Sequence, residues 1–390
     1  MTRRMYSLRE IAPPAPAVTT PVGEKVWLLN LDQIEPHTGT LLRKEYVERS
    51  GLGTSTHVFD GGNVLYSKLR PYLNKVLLPD NAGYCTSELV PMRPNQALVT
   101  REYLAAYLRS PAFLNWVSHQ VDGAKMPRVS MKVMWEHRIE LPTLDEQKRI
   151  TSILDKADSL RRKRQEAVRL ADEFLRSAYL DLAKKHPDRA SVESVLANIP
   201  NAVRTGPFGS QLLVSEFTET GIPVLGIDNV VSNAFTWGAR RFVSPEKYAE
   251  LERYTVRPGD VIVTIMGTTG RVAVAPEDLP LCISTKHLCT LSLDQKEMRP
   301  SYLWACLRWD PEVRAQTQRE SKGAIMEGWN MGIVKGLMVS KPPMDAQLKF
   351  ETLLARICKI SQSASTAANE TEELIAALSS KYFSTPISAL

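Results

Sequence analysis

Val26-Trp27-Leu28-Leu29-Asn30-Leu31-Asp32-Gln33-Ile34 returns as Ile222-Pro223-Val224-Leu225-Gly226-Ile227-Asp228-Asn229-Val230. Matches continue outward from this pair. Gly62-Asn63-Val64-Leu65 corresponds to Gly259-Asp260-Val261-Ile262, and Cys85-Thr86-Ser87 to Cys282-Ile283-Ser284. Tyr103-Leu104 corresponds to Tyr302-Leu303, Ser110-Pro111 to Asp310-Pro311, and Gly123-Ala124-Lys125-Met126 to Gly323-Ala324-Ile325-Met326. Pro142 with Asp145-Glu146-Gln147 matches Pro342 with Asp345-Ala346-Gln347, and the offset drifts only from 196 to 200. Solenoid repeats recur every ~20–50 residues, so a period this long means duplicated domains. A chain that presents one module twice is suited to a two-part target.

The composition fits a soluble globular protein of two or three domains: 390 residues, 43% hydrophobic and 24% charged. The net charge of +6 leans towards polyanions and is compatible with nucleic acid. Five cysteines without a CxxC pair, and six scattered histidines, argue against zinc and disulfides and for buried thiols in a reducing cytoplasm. No apolar leader and no apolar run of membrane length is visible, so no membrane role is expected.

Each half reads as a mixed α/β (α+β) module followed by a long helix. Short β-type runs, such as Lys25–Leu31, Val64–Ser67, Lys75–Leu78, Val224–Ile227, Val261–Ile265 and Arg271–Val274, are broken by Gly, Pro, Asn and Asp. One helix follows late in each module, over Glu102–Val121 and Pro300–Arg319. The domains are therefore 1–143, a helix over 144–185, 186–344, a second helix over 345–384, and a tail of 385–390. In the first long helix Ile150, Ile153, Ala157, Leu160, Arg164, Ala167, Ala171 and Phe174 step by alternating threes and fours. Phe350, Leu353, Ile357, Ile360, Ala364, Ala367, Thr371 and Leu374 repeat the steps in the second. Matched stripes predict two antiparallel, coiled-coil-like helices that pair with each other, each about 60 Å long at 1.5 Å per residue.

Catalytic signatures are missing. Lys341-Pro342-Pro343-Met344 lacks the flanking residues of an adenine methyltransferase motif, and Gly267-Thr268-Thr269-Gly270 reads as a tight turn between strands. No Walker A sequence is present. Pro311-Glu312 with Glu320-Ser321-Lys322 fits a nuclease pattern only loosely and falls on a helical stretch. The chain binds and does not catalyse; no catalytic or metal residue is assigned.

Val64-Leu65-Tyr66-Ser67-Lys68-Leu69-Arg70-Pro71-Tyr72-Leu73-Asn74-Lys75, Arg204-Thr205-Gly206-Pro207-Phe208-Gly209-Ser210 and Gly259–Thr264 look like strand-and-loop segments of target recognition domains. Leu141-Pro142-Thr143-Leu144-Asp145-Glu146-Gln147-Lys148-Arg149-Ile150 resembles the Pro-x-x-x-Glu-Gln-x-x-Ile opening of a spacer helix. Together they resemble the specificity subunit of a type I restriction–modification system across essentially the whole chain. The second helix departs from the pattern, with Ala346 in place of the acidic residue. The resemblance implies two recognition domains that each read half of a split site in double-stranded DNA, with the helix pair as a ruler. It also implies two modification subunits using S-adenosylmethionine, and restriction subunits using ATP and Mg; this chain itself carries no cofactor. The specificity chain of a bifunctional restriction–methylation enzyme shares this architecture, and a scaffolding protein with a helical hairpin is the reading without DNA.

On that footing the DNA-reading candidates are loop residues, since scaffold-mounted loops commonly carry recognition. In the first module they are Lys68, Arg70, Tyr72 and Lys75, with Lys125 and Arg128 on a second loop. In the second they are Arg204, Ser210 and Gln211, then Thr268, Thr269 and Arg271, with Lys286 and Lys322 as phosphate binders. The run Arg161-Arg162-Lys163-Arg164 is open to three readings: a solvated helix face, a DNA contact, or a contact to an acidic partner patch.

Overall fold

A computed structural model describes residues 4–383 apart from 16, 124 and 321–327; Lys322 and the tail 385–390 lie outside the described residues. The chain divides into two compact units, residues 1–165 with 365–390, and residues 166–364. Each unit thus takes one module and a part of both long helices.

In the first unit a four-stranded sheet runs in the order Tyr46–Glu48, Lys25–Leu29, Gly83–Thr86, Thr56–Phe59. The repeated sequence supplies its one parallel pairing, Leu28 opposite Tyr84 and Leu29 opposite Cys85. A three-stranded sheet places Val64–Ser67 between Val76–Leu77 and Leu89–Met92. Val64–Ser67 is buried on both faces, which is why it reads as an almost unbroken apolar run.

The second unit repeats this plan. Its first sheet runs Phe242–Val243, Ile222–Leu225, Cys282–Ser284, Thr255–Val256, with Val224 opposite Ile283 and Leu225 opposite Ser284 in the parallel pair. Its second sheet runs Val203–Thr205, Leu288–Leu291, Val261–Thr264, Val272–Val274. Each module also closes on itself just before its long helix: Arg4–Ser7 pairs with Arg138–Leu141, and Arg189–Ser191 with Met338–Ser340.

The single late helix expected in each module is two. Arg101–Arg109 and Pro111–Ser118 are separate, as are Pro300–Trp309 and Pro311–Glu320. Pro111 and Pro311 lack the N–H that would continue the ladder and push the preceding residue out of helical geometry. Ser110 takes an extended conformation, and its hydroxyl accepts the Phe113 N–H to start the next helix.

The long helices span Leu144–Lys185 and Met344–Phe383. A buried glutamine fastens each start. Gln147 Oε1 accepts the Thr100 N–H at 2.9 Å while Nε2 donates to the carbonyls of Leu98 and Pro142. Gln347 does the same with the Arg299 N–H at 2.9 Å and the carbonyls of Glu297 and Pro342. The neighbouring Glu146 instead forms an ion pair with Arg149 at 2.6 Å, so its replacement by Ala346 leaves the second fastening intact.

In the first unit the helices run antiparallel. Ile150 and Leu154 share a core with Phe383, and farther along Arg164 donates to the Ala367 carbonyl and the Thr371 hydroxyl. In the second unit Leu175 and Tyr179 share a core with Phe350, and the Tyr179 hydroxyl donates to Asp310 at 2.7 Å.

The buried register differs from the sequence reading at every second position. Ile150, Leu154, Ala157, Leu175 and Tyr179 are buried, as are Phe350, Ala368 and Thr371. Leu160, Phe174, Ile360 and Leu374, expected on the seam, are 51%, 51%, 61% and 51% exposed, and Ala167 is exposed. Ile153, Ala171, Leu353, Ile357, Ala364 and Ala367 are half-buried. The cause is the helical repeat of 3.6, which lets a three-then-four and a four-then-three path share every seventh residue. Bulky Leu160 and Phe174 favour the first path by composition, whereas the cores select the second.

Candidate nucleic-acid interface

In the first unit the two loops named from sequence meet. The Arg70 N–H donates to the Pro127 carbonyl at 2.8 Å, and the Val129 N–H to the Lys68 carbonyl at 3.0 Å. The Lys68 N–H in turn donates to the Glu88 carbonyl at 3.0 Å. This junction sets Lys68, exposed Arg70 and Tyr72, and exposed Lys125 on adjoining segments. Arg70 adopts a left-handed φ of 48° as the chain enters the short turn Pro71–Leu73. That conformation is costly for a side chain with a Cβ and concentrates at functional sites.

The second unit contains the same junction. The Trp329 N–H donates to the Ile265 carbonyl at 2.8 Å, and the Ile265 N–H to the His287 carbonyl at 2.8 Å. Between the strands lies the turn Gly267–Gly270, tight because Gly267 and Gly270 take φ of 78° and 83°. It presents exposed Thr268 and Arg271 with half-buried Thr269, and Lys286 is exposed on the adjoining connection. Burial, then the charges of Lys286 and Arg241, hold the His287 pKa below its ordinary value. Ser210 and Gln211 are exposed on the Gly-Pro-Phe-Gly segment, where Gln211 Oε1 accepts the Tyr254 hydroxyl at 2.8 Å. That segment passes close to the sheet, because a Cβ on Gly206 would collide with the Ser284 carbonyl.

Arg204 is a correction. Its side chain is 3% exposed, paired with the equally buried Asp260, and donates to the Thr255 and Asn201 carbonyls and the Ser292 hydroxyl. A cation placed just before a glycine turn reads as a surface group from sequence, but Asp260, the repeat partner of Asn63, draws it inside. Two other candidates are partly engaged. Arg128 grips Glu88 at 2.8 Å, which raises the arginine's pKa and lowers the carboxylate's. Lys75 Nζ donates to the Leu31 carbonyl at 2.6 Å, and burial lowers its pKa. The basic run on the first helix divides: Arg161 and Arg162 both pair with Asp158, Arg164 lies on the seam, and Lys163 is exposed.

Sequence reasoning missed a third segment in each module, the connection after the repeated strand. In the first unit the His37 N–H donates to the Leu73 carbonyl at 3.1 Å; in the second, Asn233 Oδ1 accepts the Val272 N–H at 3.2 Å. Both connections are braced alike, Asp32 with Arg43 and Asp228 with Arg241. The repeated aspartate was the available signal. The second connection carries exposed Trp237 and Arg240 beside a cavity of about 290 Å³. Among the described residues no group of His, Cys, Asp and Glu could hold a metal, and no helix is long and apolar enough to cross a membrane.

Residues 45–170 match the family model described as the type I restriction modification DNA specificity domain. The match takes in the first unit's junction and the start of the first long helix. Over that stretch the chain is similar to the specificity subunits of type I restriction–modification systems. It is 26% identical over 133 residues to the EcoDI specificity subunit of Escherichia coli, covering 33% of this chain and 29% of that one. With the Escherichia coli EcoBI specificity subunit it shares 22% identity over 307 residues, covering 71% and 64%. The chain thus spans less than two thirds of the length of either curated relative. The fold is similar to that of the type I system S subunit from M. genitalium, with TM-score 0.62 and 11% identity over 100% of this chain and 97% of that one. This likeness accords with the duplicated modules and the two long helices.

Proposed function

We propose that this chain is the non-catalytic DNA-specificity subunit of a cytoplasmic type I complex. Each unit reads one half of a bipartite, asymmetric site in double-stranded DNA, and the helices set the gap. The observation that carries this reading is the duplicated junction with unlike side chains. Lys68, Arg70, Tyr72 and Lys125 stand on one copy; Thr268, Thr269, Arg271 and Lys286 stand on the other. One scaffold with two different reading surfaces suits two different half-sites.

Partner docking has its own support. In the first unit Leu160 and Leu374 lie half-exposed about one turn beyond the Arg164–Thr371 contact, at the same level of the antiparallel pair. In the second unit Phe174 and Ile360 occupy matching heptad positions. Two similar apolar flanks fit two copies of one helical partner, the modification subunit. Those subunits bind S-adenosylmethionine and methylate adenine; restriction subunits add ATP- and Mg-dependent cleavage. Co-expression with the neighbouring modification subunit, followed by genome-wide mapping of N6-methyladenine, tests the reading. The expected result is a split motif with two defined blocks around a fixed gap. No methylation from an assembled complex overturns it.

A further inference from the structure

The second unit holds a cavity of about 460 Å³ whose walls are mostly polar. One wall is the reading turn, with Thr269, Gly270 and Arg271; the others carry Arg176 of the first long helix, Arg308, and Arg314 of Pro311–Glu320. Its two acids are already occupied. Asp172 pairs with Arg308 at 2.6 Å, and Asp310 takes Arg189 at 2.8 Å and the Tyr179 hydroxyl at 2.7 Å. Arg308 is further held over the rings of Trp304 and Trp309, at 5.0 and 4.9 Å. The exposed side chains of Arg176, Arg271 and Arg314 are left without an ion pair among the described residues.

The fold does not need Arg176 and Arg314. At their matched positions in the other copy stand Ala376 and Leu114, and Leu114 packs against the core. Arg271 matches Lys75, each carbonyl accepting the N–H of the equivalent strand residue, Thr264 or Ser67. A small-molecule pocket would be mostly apolar; unpaired guanidiniums around a cleft are suited to phosphates.

We infer that this cleft grips the sugar–phosphate backbone of duplex DNA beside the half-site that the second unit reads, through Arg176 and Arg314 continuing from Arg271. This rests on the DNA-reading function proposed above. The reading turn forms a wall of the cleft, so a duplex engaged by Arg271 passes over the other two arginines. The cleft adds affinity without sequence preference, and only on one side of the site.

The test is the salt dependence of duplex binding by the assembled complex, for the wild type, Arg176→Ala/Arg314→Ala and Arg176→Lys/Arg314→Lys. Each phosphate contact contributes roughly 0.9 to the slope of log affinity against log salt. The alanine pair is expected to lower the slope by about 2, equally on target and non-target duplexes, with an unchanged methylation motif. Between 50 and 200 mM salt the wild type then loses about ten-fold more affinity than the variant. The lysine pair is expected to keep the wild-type slope. An unchanged slope in the alanine pair, beside a wild type that binds DNA, overturns this inference alone. Poorer assembly of the alanine pair, with an unchanged slope for the complex that does form, assigns the cleft to an acidic partner surface and overturns it as well. A wild-type complex that binds no duplex overturns the functional reading together with this one.

Discussion

Replacing Arg204 with alanine separates a structural arginine from a reading one. The guanidinium and the Asp260 carboxylate are each 3% exposed, so deleting one leaves a buried charge with the Ser292 hydroxyl and the Arg257 N–H for company. Breaking a buried pair from one side costs about 3–5 kcal/mol. The Thr255 and Asn201 carbonyls also lose their donors, which places Arg204→Ala at the upper end of that range. For a unit of this size each kcal/mol moves Tm by roughly 2–4 °C, so the second unit's transition falls by about 10–20 °C. Hydrogen exchange resolved by peptide reads this directly, since protection is lost first in Val261–Thr264 and Leu288–Leu291, the strands bordering the pair. Arg204→Met with Asp260→Leu removes both charges and recovers most of the loss. Arg271→Ala leaves the transition in place. If Arg204→Ala unfolded at the wild-type temperature yet lost binding to one half-site only, the structural assignment would be refuted.

Other residues carry distinct expectations. Arg70→Gly removes a side chain from a left-handed position that glycine favours, so stability holds or rises by up to about 1 kcal/mol. Binding weakens by roughly 1–3 kcal/mol through one half-site only, as competition with half-site-substituted duplexes will show. His137 lies 3.9 Å from the Trp116 ring and 2.7 Å from the Tyr107 hydroxyl, and burial holds its pKa near 4. The folded state therefore favours the neutral ring, and the first unit loses about 3 kcal/mol as pH falls from 6.5 towards 4. Urea titrations of wild type and His137→Gln should diverge over that range, and parallel curves would contradict the assignment. Gln147→Leu strands the Thr100 N–H and Leu98 carbonyl, costing about 2 kcal/mol and exposing Thr100 to exchange. Ala346→Glu, by contrast, gains Lys349 as a neighbour and stays within about 0.5 kcal/mol. Leu160→Glu with Leu374→Glu leaves the fold intact, because both are half-exposed, and blocks co-purification of the modification subunit.

The duplication and the strand positions were legible because each rests on local pattern. Ile222–Leu225 and Lys25–Leu29 read as strands from their apolar runs. What failed depended on partners distant in sequence. Arg204 looks like any loop cation until Asp260, 56 residues on, is folded beside it. The seam slipped at alternate positions because amphipathic periodicity cannot choose between adjacent flanks of a wide apolar stripe. The Ser110–Pro111 break, in contrast, needed only local stereochemistry and should have been read from the sequence. The connection carrying Asp32 and Asp228 was seen as a repeat but not as part of the site, since its neighbours come from later strands.

The glutamine fastenings touch nothing but main chain on the module side: an amide and a carbonyl at residues 100 and 98, and again at 299 and 297. Every amino acid offers a carbonyl, and all except proline offer an amide. The joint between helix and module is therefore indifferent to which side chains the module carries there. A module could drift in sequence, or be exchanged for one with another target, and still seat on the same helix at the same angle. The coupling works like a standard fitting, preserving the geometry of the readers while leaving their message free to change.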